Sequence, residues 1–374
     1  MKDGSRVQAT VSEDDAGWPV IGLDLSDKSA TYVELDADPR VRGIVGQGVV
    51  RLTETGLRKR FGGAERYRIA LEVGTHSPWV SRLLTTLGHH VMIANPRQVA
   101  LIARSRRKTD RIDAEHLARL LRFDPELLFP THHRSEQAQA DLAVIRSRQA
   151  LVVERTRLVN HVRGAVKAVG GRLPTCSTPA FARKVADAVP ASLGPALLPI
   201  LEQIALLTEQ IRRYDRTIAQ LAKERYPETA LLEHIAGVGP LTALAFILTI
   251  EDPGRFRRSR AVGAYLGLTS RQDQSGELKP ELSITKAGDE HLRWLLVQCA
   301  HYILGPFGPD CDLRRWGLRL AGEGSRQRKK KAITAVARKL AVLLHHLWRT
   351  GSIYDPLYDA TRKDATQKQT AAVA

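Results

Sequence analysis

The most constraining feature of this sequence is a carboxylate placed inside a short apolar strand. Residues 20–26 read VIGLDLS, which predicts a buried strand with Asp24 in its second half. Burying a carboxylate is costly unless it is paired with a cation or bound to a metal ion. A second apolar run, YRIALEV at residues 67–73, carries Glu72 near its end and raises the same question. The chain must therefore adopt a fold that supplies both acids with a partner.

Short strands and helices alternate along the N-terminal third of the chain. Three strands come first, and helices and strands then follow in turn, an order that predicts a mixed α/β sheet. The predicted strands cover residues 20–26, 30–36, 41–51, 67–73 and 89–94, and the predicted helices cover residues 52–61, 77–87 and 95–103.

A further helix is predicted over residues 108–120, KTDRIDAEHLARL, and it begins with two carboxylates. Thr109 is a suitable N-cap, and Asp110 and Asp113 are three residues apart, so both project from one face. One interpretation is that the two acids bind a cation, because neighbouring carboxylates repel each other. The other is that they complement the helix dipole, with local counter-charges on Arg106, Arg107, Lys108 and Arg111.

Taken together, the four acids form a set of hard oxygen ligands. Carboxylates of this kind suit Mg²⁺ or Mn²⁺, which retain water ligands for a phosphate substrate. Two such ions about 3.5–4 Å apart can stabilise the attacking and leaving oxygens of a phosphoryl transfer. The pattern therefore favours a metal-dependent enzyme acting on phosphate esters.

Four motifs together resemble the DEDD transposases of bacterial insertion sequences. They are IGLDLS at residues 21–26, LEVGTHSPW at 71–79, ANP at 94–96 and KTDRIDA at 108–114. That family includes the bridge-RNA-guided recombinases, has the Piv-type DNA invertases as relatives, and has an N-terminal domain of the RuvC-like, RNase H-like fold. The resemblance implies a metal-binding quartet of Asp24, Glu72, Asp110 and Asp113. Many members have Glu-Ala-Thr-Gly-x-Tyr where this chain has Glu-Val-Gly-Thr-His-Ser, so no role of that tyrosine is carried over.

The charge balance indicates a polyanionic partner. Lys and Arg number 57 against 40 Asp and Glu, a net charge of +17. Nucleic acid is the leading candidate, because phosphate neutralisation supplies most non-specific affinity for it. The cysteines, Cys176, Cys299 and Cys311, have no zinc or disulfide spacing, which suits the cytoplasm. No signal segment and no membrane span are expected, since the longest apolar run, residues 241–250, is short.

The middle of the chain has the spacing of a helical pair. Residues 136–169 carry Ile145, Val152, Val159 and Val166 at intervals of seven, and residues 170–195 are rich in Gly and Pro. A second helix then carries a continuous 3-4 alternation of apolar residues. This predicts either an intramolecular hairpin or a coiled-coil arm that joins subunits into a dimer or tetramer. The apolar positions of the second helix are Leu197, Ile200, Ile204, Leu207, Ile211, Tyr214, Ile218 and Leu221.

Residues 231–250 predict a helix-hairpin-helix motif around a Gly-Val-Gly-Pro turn. In such a motif the backbone N–H groups of the turn, here Gly237 and Gly239, can contact a phosphate. The basic sequence FRRSR at residues 256–260 supports this interpretation through Arg257 and Arg258. The alternative is an ordinary corner between two helices.

A polar loop after the sequence YLGL carries Ser275, followed by Gly276. The family resemblance implies that Ser275 is the nucleophile that attacks a DNA phosphate. Arg271 and Lys286 lie near it in sequence and would balance phosphate charge. From the residues alone, the loop serines Ser270 and Ser283 remain rivals.

A basic run, RQRKKK at residues 326–331, is predicted to precede a helix over residues 332–348. Its alternatives are a solvated charged surface or a nucleic-acid contact. The contact would be made by Arg328, Lys329, Lys330 and Lys331.

The sequence therefore predicts five segments. Residues 1–18 and 359–374 are expected to be disordered, 19–130 to form the RuvC-like catalytic domain, 131–226 the helical spacer, and 227–358 a mainly α domain with the helix-hairpin-helix and the serine. The function expected is a Mg²⁺-dependent DNA transposase or site-specific recombinase that uses a structured guide RNA. The alternatives are a two-metal hydrolytic junction endonuclease and a non-enzymatic DNA-bridging protein.

Overall fold

A computed structural model describes residue 15 and residues 17–102, 109–273, 280 and 282–358. Ser275, Lys108, most of residues 1–18 and the tail from residue 359 lie outside the described residues. The chain divides into two compact units, Met1–Arg134 and Ser135–Ala374.

The first unit is built on a five-stranded mixed sheet, which confirms the predicted α/β class. The strand order is β3-β2-β1-β4-β5, with β1 antiparallel to β2 and parallel to β4. The strands are β1 (Val20–Leu25), β2 (Ser29–Leu35), β3 (Ile44–Arg51), β4 (Arg68–Glu72) and β5 (His90–Ala94), and the helices are α1 (Glu54–Phe61), α2 (Ser77–Thr86), α3 (Pro96–Ile102) and α4 (Asp110–Phe123).

Alternate residues of the strands pack on opposite faces of this sheet, as the period of two in a strand requires. Val20 of β1 and Ala70 of β4 belong to the core on the α4 side. Their neighbours Ile21 and Leu71 belong to a second core with α1 and α2. Both faces are covered, which explains why β1 and β4 read as continuous apolar runs.

The second unit is helical throughout the elements described. Its helices are α5 (Glu136–Ala168), α6 (Phe181–Val185), α7 (Gly194–Glu224), α8 (Thr229–Glu233), α9 (Pro240–Ile250), α10 (Arg260–Tyr265), α11 (Glu290–Leu304), α12 (Asp312–Ala321) and α13 (Arg326–Thr350). Its largest core surrounds α9, whose residues Thr242–Ile250 are all buried. The apolar composition of this helix, which has no polar face, is therefore explained by burial on all sides.

Helices α5 and α7 pack against each other within one chain. Val159 and Val166 of α5 are buried with Leu197 and Ile204 of α7, as the sequence spacing predicts. The segment Ala191–Glu224 is also long and apolar enough, by length and composition, to cross a membrane, although the sequence suggested no such span. A core helix passes the same test, and the packing on α5 accounts for this apolar side.

Helices lie on both sides of the predicted Gly-Val-Gly-Pro turn, α8 with only five residues and α9 with eleven, and the helix-hairpin-helix assignment stays a prediction. One predicted helix start differs from the structure. The basic run 326–331 was expected to precede a helix, but α13 already begins at Arg326. The prediction was wrong because Lys, Arg and Gln are good helix formers, so a charged run does not by itself keep a helix from starting earlier.

Candidate functional site

Two of the predicted carboxylates occupy equivalent positions on adjacent parallel strands. β1 and β4 are paired in register from Val20 opposite Arg68 to Leu23 opposite Leu71. Asp24 and Glu72 are the next residue on each strand. Paired residues of parallel strands point to the same side of a sheet. Both side chains therefore project from the face that α4 covers, on strands about 4.8 Å apart. The sheet therefore brings these two acids to one edge.

Helix α4 lies directly over β1. An added Cβ at Gly22 would lie only 1.8 Å from the carbonyl oxygen of Ala114 and 2.6 Å from the amide nitrogen of Ala118. At the far end of the helix, the Arg122 guanidinium donates to the carbonyl oxygens of Asp36 and Val41 at 3.5 and 3.0 Å. The helix thus runs antiparallel to β1.

This direction places the first turn of α4 at the Asp24 end of the sheet. Thr109 caps the helix as predicted, because its Oγ1 accepts from the Ile112 amide at 3.3 Å. Asp110 is exposed and Asp113 is half-buried. All four acids of the predicted quartet therefore belong to one edge of the first unit, two on strands and two on the helix.

The four carboxylates are not gathered into a closed cage. Within the described ranges, no three His, Cys, Asp or Glu side chains are close enough together to hold a metal ion. The ligand chemistry and the backbone positions nevertheless fit a hard divalent cation, since Asp24 and Glu72 share a register and a face. The side chains would have to converge further to bind one.

Sequence reasoning overlooked a histidine near this edge. His76 precedes α2, and its Nε2 lies 3.5 Å from an oxygen of Asp27, just after β1. The Trp79 indole donates to His76 Nδ1 at 3.2 Å, which leaves the proton of a neutral ring on Nε2. The Ser77 hydroxyl closes the turn, because it accepts from the Gly74 amide at 2.8 Å and donates to the Gly74 carbonyl at 2.9 Å. The Gly-Thr-His-Ser departure was the available signal for this histidine.

Replacing Gly22 with alanine is expected to destabilise the first unit by about 1–3 kcal/mol, the usual cost of overpacking. The new methyl group would collide with backbone atoms of α4, which cannot rotate away. Urea denaturation would measure the change. Gly43→Ala is the matched control, because nothing lies within 4 Å of its added Cβ. Equal stability of the two variants would contradict the close approach of α4 to β1.

Described residues on the two sides of Ser275 in the sequence are joined by backbone hydrogen bonds. The Arg271 and Thr285 amides donate to the carbonyls of Ser283 and Thr269, each at 2.9 Å. The Arg271 guanidinium also donates to the Ser283 hydroxyl at 3.0 Å, so this rival serine has a partner. Lys286 has a φ of 55°, a left-handed conformation that costs a non-glycine residue free energy. Ser275 itself lies outside the described residues.

The predicted nucleic-acid contacts of the second unit are on its surface. Gly237 is exposed and has a φ of 90°, while Gly239 is half-buried and caps α9. Exposed side chains include Arg257, Arg258, Arg271, Lys286, Arg328, Lys329, Lys330 and Lys331. The last four lie in the first two turns of α13, and the first turn of this helix contains no acidic residue.

Comparison with known proteins gives two family matches. Residues 229–309 match the model described as "Transposase IS116/IS110/IS902 family", and residues 21–170 match a transposase model of the DEDD type named for IS110. The second match spans the whole predicted quartet. The first spans the turn at Gly237 and the loop with Ser275.

Individual relatives agree with these matches. A Sinorhizobium fredii protein named "Putative transposase y4pF/y4sB" is 32% identical over 76% of this chain and 74% of its own length. The transposase for insertion sequence element IS1328 of Yersinia enterocolitica is 29% identical over 76% of this chain and 85% of its own length. The pilin gene-inverting protein of Moraxella bovis is 24% identical over 83% of this chain and 88% of its own length.

Proposed function

Because this chain belongs to the IS116/IS110/IS902 family of transposases, we propose that it cuts and rejoins DNA with a serine nucleophile and a metal-binding acidic quartet. The chain is a DNA transposase, an enzyme of insertion-sequence movement. We infer that the reaction depends on the quartet, Ser275, the basic surface and a guide RNA.

The observation that carries the proposal is the shared register of Asp24 and Glu72 at one sheet edge, with the first turn of α4 at that edge. Asp24, Glu72, Asp110 and Asp113 would hold Mg²⁺ or Mn²⁺ as carboxylate ligands. When bound, such an ion withdraws electron density from a phosphate oxygen and offsets the charge that develops during strand cleavage. The protein contributes the positions of the four acids, which the sheet and α4 fix.

Ser275 would act as the nucleophile in a balanced exchange of phosphate esters. Its hydroxyl oxygen bonds to a DNA phosphorus, the bond from that phosphorus to a deoxyribose oxygen breaks, and the released strand end takes up a proton as the serine loses one. A hydroxyl of the new strand then attacks the same phosphorus, reforms a phosphodiester and frees the serine. Because the phosphate ester is exchanged and never hydrolysed by water, rejoining the strands needs no further energy source.

The basic residues would hold nucleic acid during these steps. Arg257, Arg258 and the start of α13 would neutralise phosphates of DNA element ends and target. The resemblance to bridge-RNA-guided recombinases further supports a structured guide RNA as a second polyanion. Because two DNA sites must be cut and exchanged, the active form would be a dimer or tetramer in which α5 and α7 take part.

Metal removal tests this proposal. The purified chain, incubated with a plasmid that carries the element ends, is expected to cut strands with Mg²⁺ or Mn²⁺ and to lose cutting in EDTA. Gel analysis of nicked and rejoined plasmid gives the measurement, and DNA binding in EDTA serves as the control, since phosphate contacts need no metal. Strand cutting that continues unchanged in EDTA would refute the metal-binding role of the quartet.

A further inference from the structure

The second unit contains a cleft of about 410 Å³, and of its lining residues only Gly237 belongs to the predicted nucleic-acid contacts. It is formed by one face of α5, the turn before α9, the first turn of α9 and one face of α11. A volume of this size falls in the range of about 300–1,000 Å³ that is typical of small-ligand sites. The cleft is open on one side, so a segment of a longer molecule can enter it.

The α11 wall of the cleft is a row of flat side chains. Trp294, Gln298 and Tyr302 follow one another at intervals of four and share one face of the helix. Trp294 and Tyr302 are 45% and 46% exposed, which is unusual for large aromatic rings. The His291 ring stacks on Trp294 with its plane inclined by 16°. Burial lowers the pKa of His291, so this ring is neutral at pH 7.

The α5 wall supplies positive charge in a polar layer of the helical pair. Arg155 is only 8% exposed, and its Nη1 donates to the Thr208 hydroxyl at 3.2 Å. Arg148 binds Asp215 at 2.6 Å. Burial lowers the pKa of Arg155, and repulsion from Arg148 lowers it further, although a guanidinium stays charged at any physiological pH. Arg148 is thus ion-paired, whereas the hydrogen-bond partner of Arg155 is a neutral hydroxyl.

Two buried polar atoms of the cleft lining, and one beside it, lack a hydrogen-bond partner among the residues described. Arg155 Nε and Gln149 Oε1, both on the α5 wall, are buried without a hydrogen bond, and so is the Nε2 of His291 beside Trp294. Buried polar atoms are normally hydrogen-bonded, and leaving them unpaired costs free energy. Their clustering around one cleft indicates that a ligand with both donors and acceptors completes it.

The turn before α9 fits closely against the aromatic wall. Gly237 has a φ of 90°, and an added Cβ would lie 2.7 Å from the Tyr302 ring. Glycine thus lets the backbone reach the edge of the cleft. The sequence suggested this turn as a phosphate contact, and in the structure the turn borders the cleft.

We propose that this cleft binds one unstacked nucleotide of a single-stranded segment of nucleic acid. The base would stack on Trp294, the amides of Gln149 and Gln298 would hydrogen-bond its edge, and the adjoining phosphate would lie near Arg148 and Arg155. Stacking on aromatic rings beside cations is how proteins hold unpaired bases, since every base has a flat face. The proposal rests on the proposed function only in taking nucleic acid as the partner.

The unpaired polar atoms and the exposed rings of the walls do not suit other ligands of similar size. An apolar peptide side chain would leave Arg155 Nε and Gln149 Oε1 unpaired, and a bare phosphate would leave the two exposed rings in water. A nucleotide offers a flat ring, hydrogen-bonding edges and an anion within one residue. Base-paired nucleic acid does not fit this arrangement, because its bases are stacked on each other.

Trp294→Leu tests the proposal directly. Binding of a fluorescent 12-mer single strand, in EDTA so that no cleavage occurs, is expected to weaken about tenfold, as the loss of one base–aromatic stack predicts. Binding of the same sequence as a duplex should be unchanged. Phe307→Leu is the matched control, because Phe307 is an exposed aromatic residue (83%) outside the cleft lining. DNA and RNA strands are measured in parallel, and the larger loss identifies the natural ligand.

A second measurement separates stacking from a merely structural effect. A 2-aminopurine placed in the strand is expected to lose fluorescence on binding the wild-type chain and to keep it on binding Trp294→Leu. An equal loss of affinity for single strand and duplex, or no loss in either, would overturn the proposal. Neither readout depends on metal or on cleavage, so failure of the cleft and failure of the catalytic quartet would be told apart.

Discussion

Asp24→Asn is expected to lower Mg²⁺-dependent strand cleavage about a thousandfold, while the fold and the affinity for DNA stay as they are. A catalytic divalent ion contributes several kcal/mol of transition-state stabilisation, and each 1.4 kcal/mol corresponds to about tenfold in rate. Asparagine keeps the shape of the side chain but loses the negative charge that a hard cation requires. Single-turnover cleavage of a plasmid with the element ends would give the rate.

The control for this variant is an acid outside the predicted quartet. Asp38 follows β2, whose last residue Leu35 is paired with Val20 at the opposite end of β1 from Asp24. Asp38→Asn should therefore leave cleavage unchanged. Glu72→Gln should reproduce the loss, and the double variant with Asp24→Asn should be little worse than either, because residues that serve one ion are not additive. Full activity in Asp24→Asn would end the metal hypothesis at this edge.

The strand pattern allowed the first unit to be predicted because its signals are local. Apolar runs bounded by turns gave all five strands within a few residues, and Thr109 with its following acids gave the start of α4. The positions of Asp24 and Glu72 at the ends of apolar strands suggested one shared site. The sequence could not predict the register of β1 with β4 or the contact of Gly22 with Ala114, because both depend on packing between distant segments.

The second unit shows the limits of local reasoning more clearly. Spacing by seven predicted α5 and a 3-4 alternation predicted α7, but neither pattern predicted that Arg155 and Thr208 would form a polar layer between the apolar ends of these helices. The cleft combines residues from Arg148 to Tyr302, which only tertiary packing brings together. The start of α13 was misjudged because charge suggested exposure, and exposure is compatible with a helix.

Transposition and inversion need the same chemistry on different arrangements of DNA ends. This chain is similar both to transposases and to pilin gene-inverting proteins along most of its length. The exchange of phosphate esters does not by itself specify whether a DNA segment is excised or inverted. That outcome depends on which strands are held together, so the basic surfaces and the nucleotide cleft of the second unit are where such specificity would reside.

Ser275→Ala is expected to abolish the covalent protein–DNA adduct while DNA binding remains intact. Loss of a nucleophilic serine lowers kcat by about 10⁶ in serine hydrolases, which places the variant below detection in a gel assay. The adduct would be trapped on labelled element ends by rapid denaturation and measured as slowly migrating protein. Ser270→Ala and Ser283→Ala are the matched controls, and both should retain it. If Ser275→Ala still cuts DNA at the wild-type rate, water is the nucleophile, and the chain works as a hydrolytic endonuclease that uses Ser275 only as part of its loop.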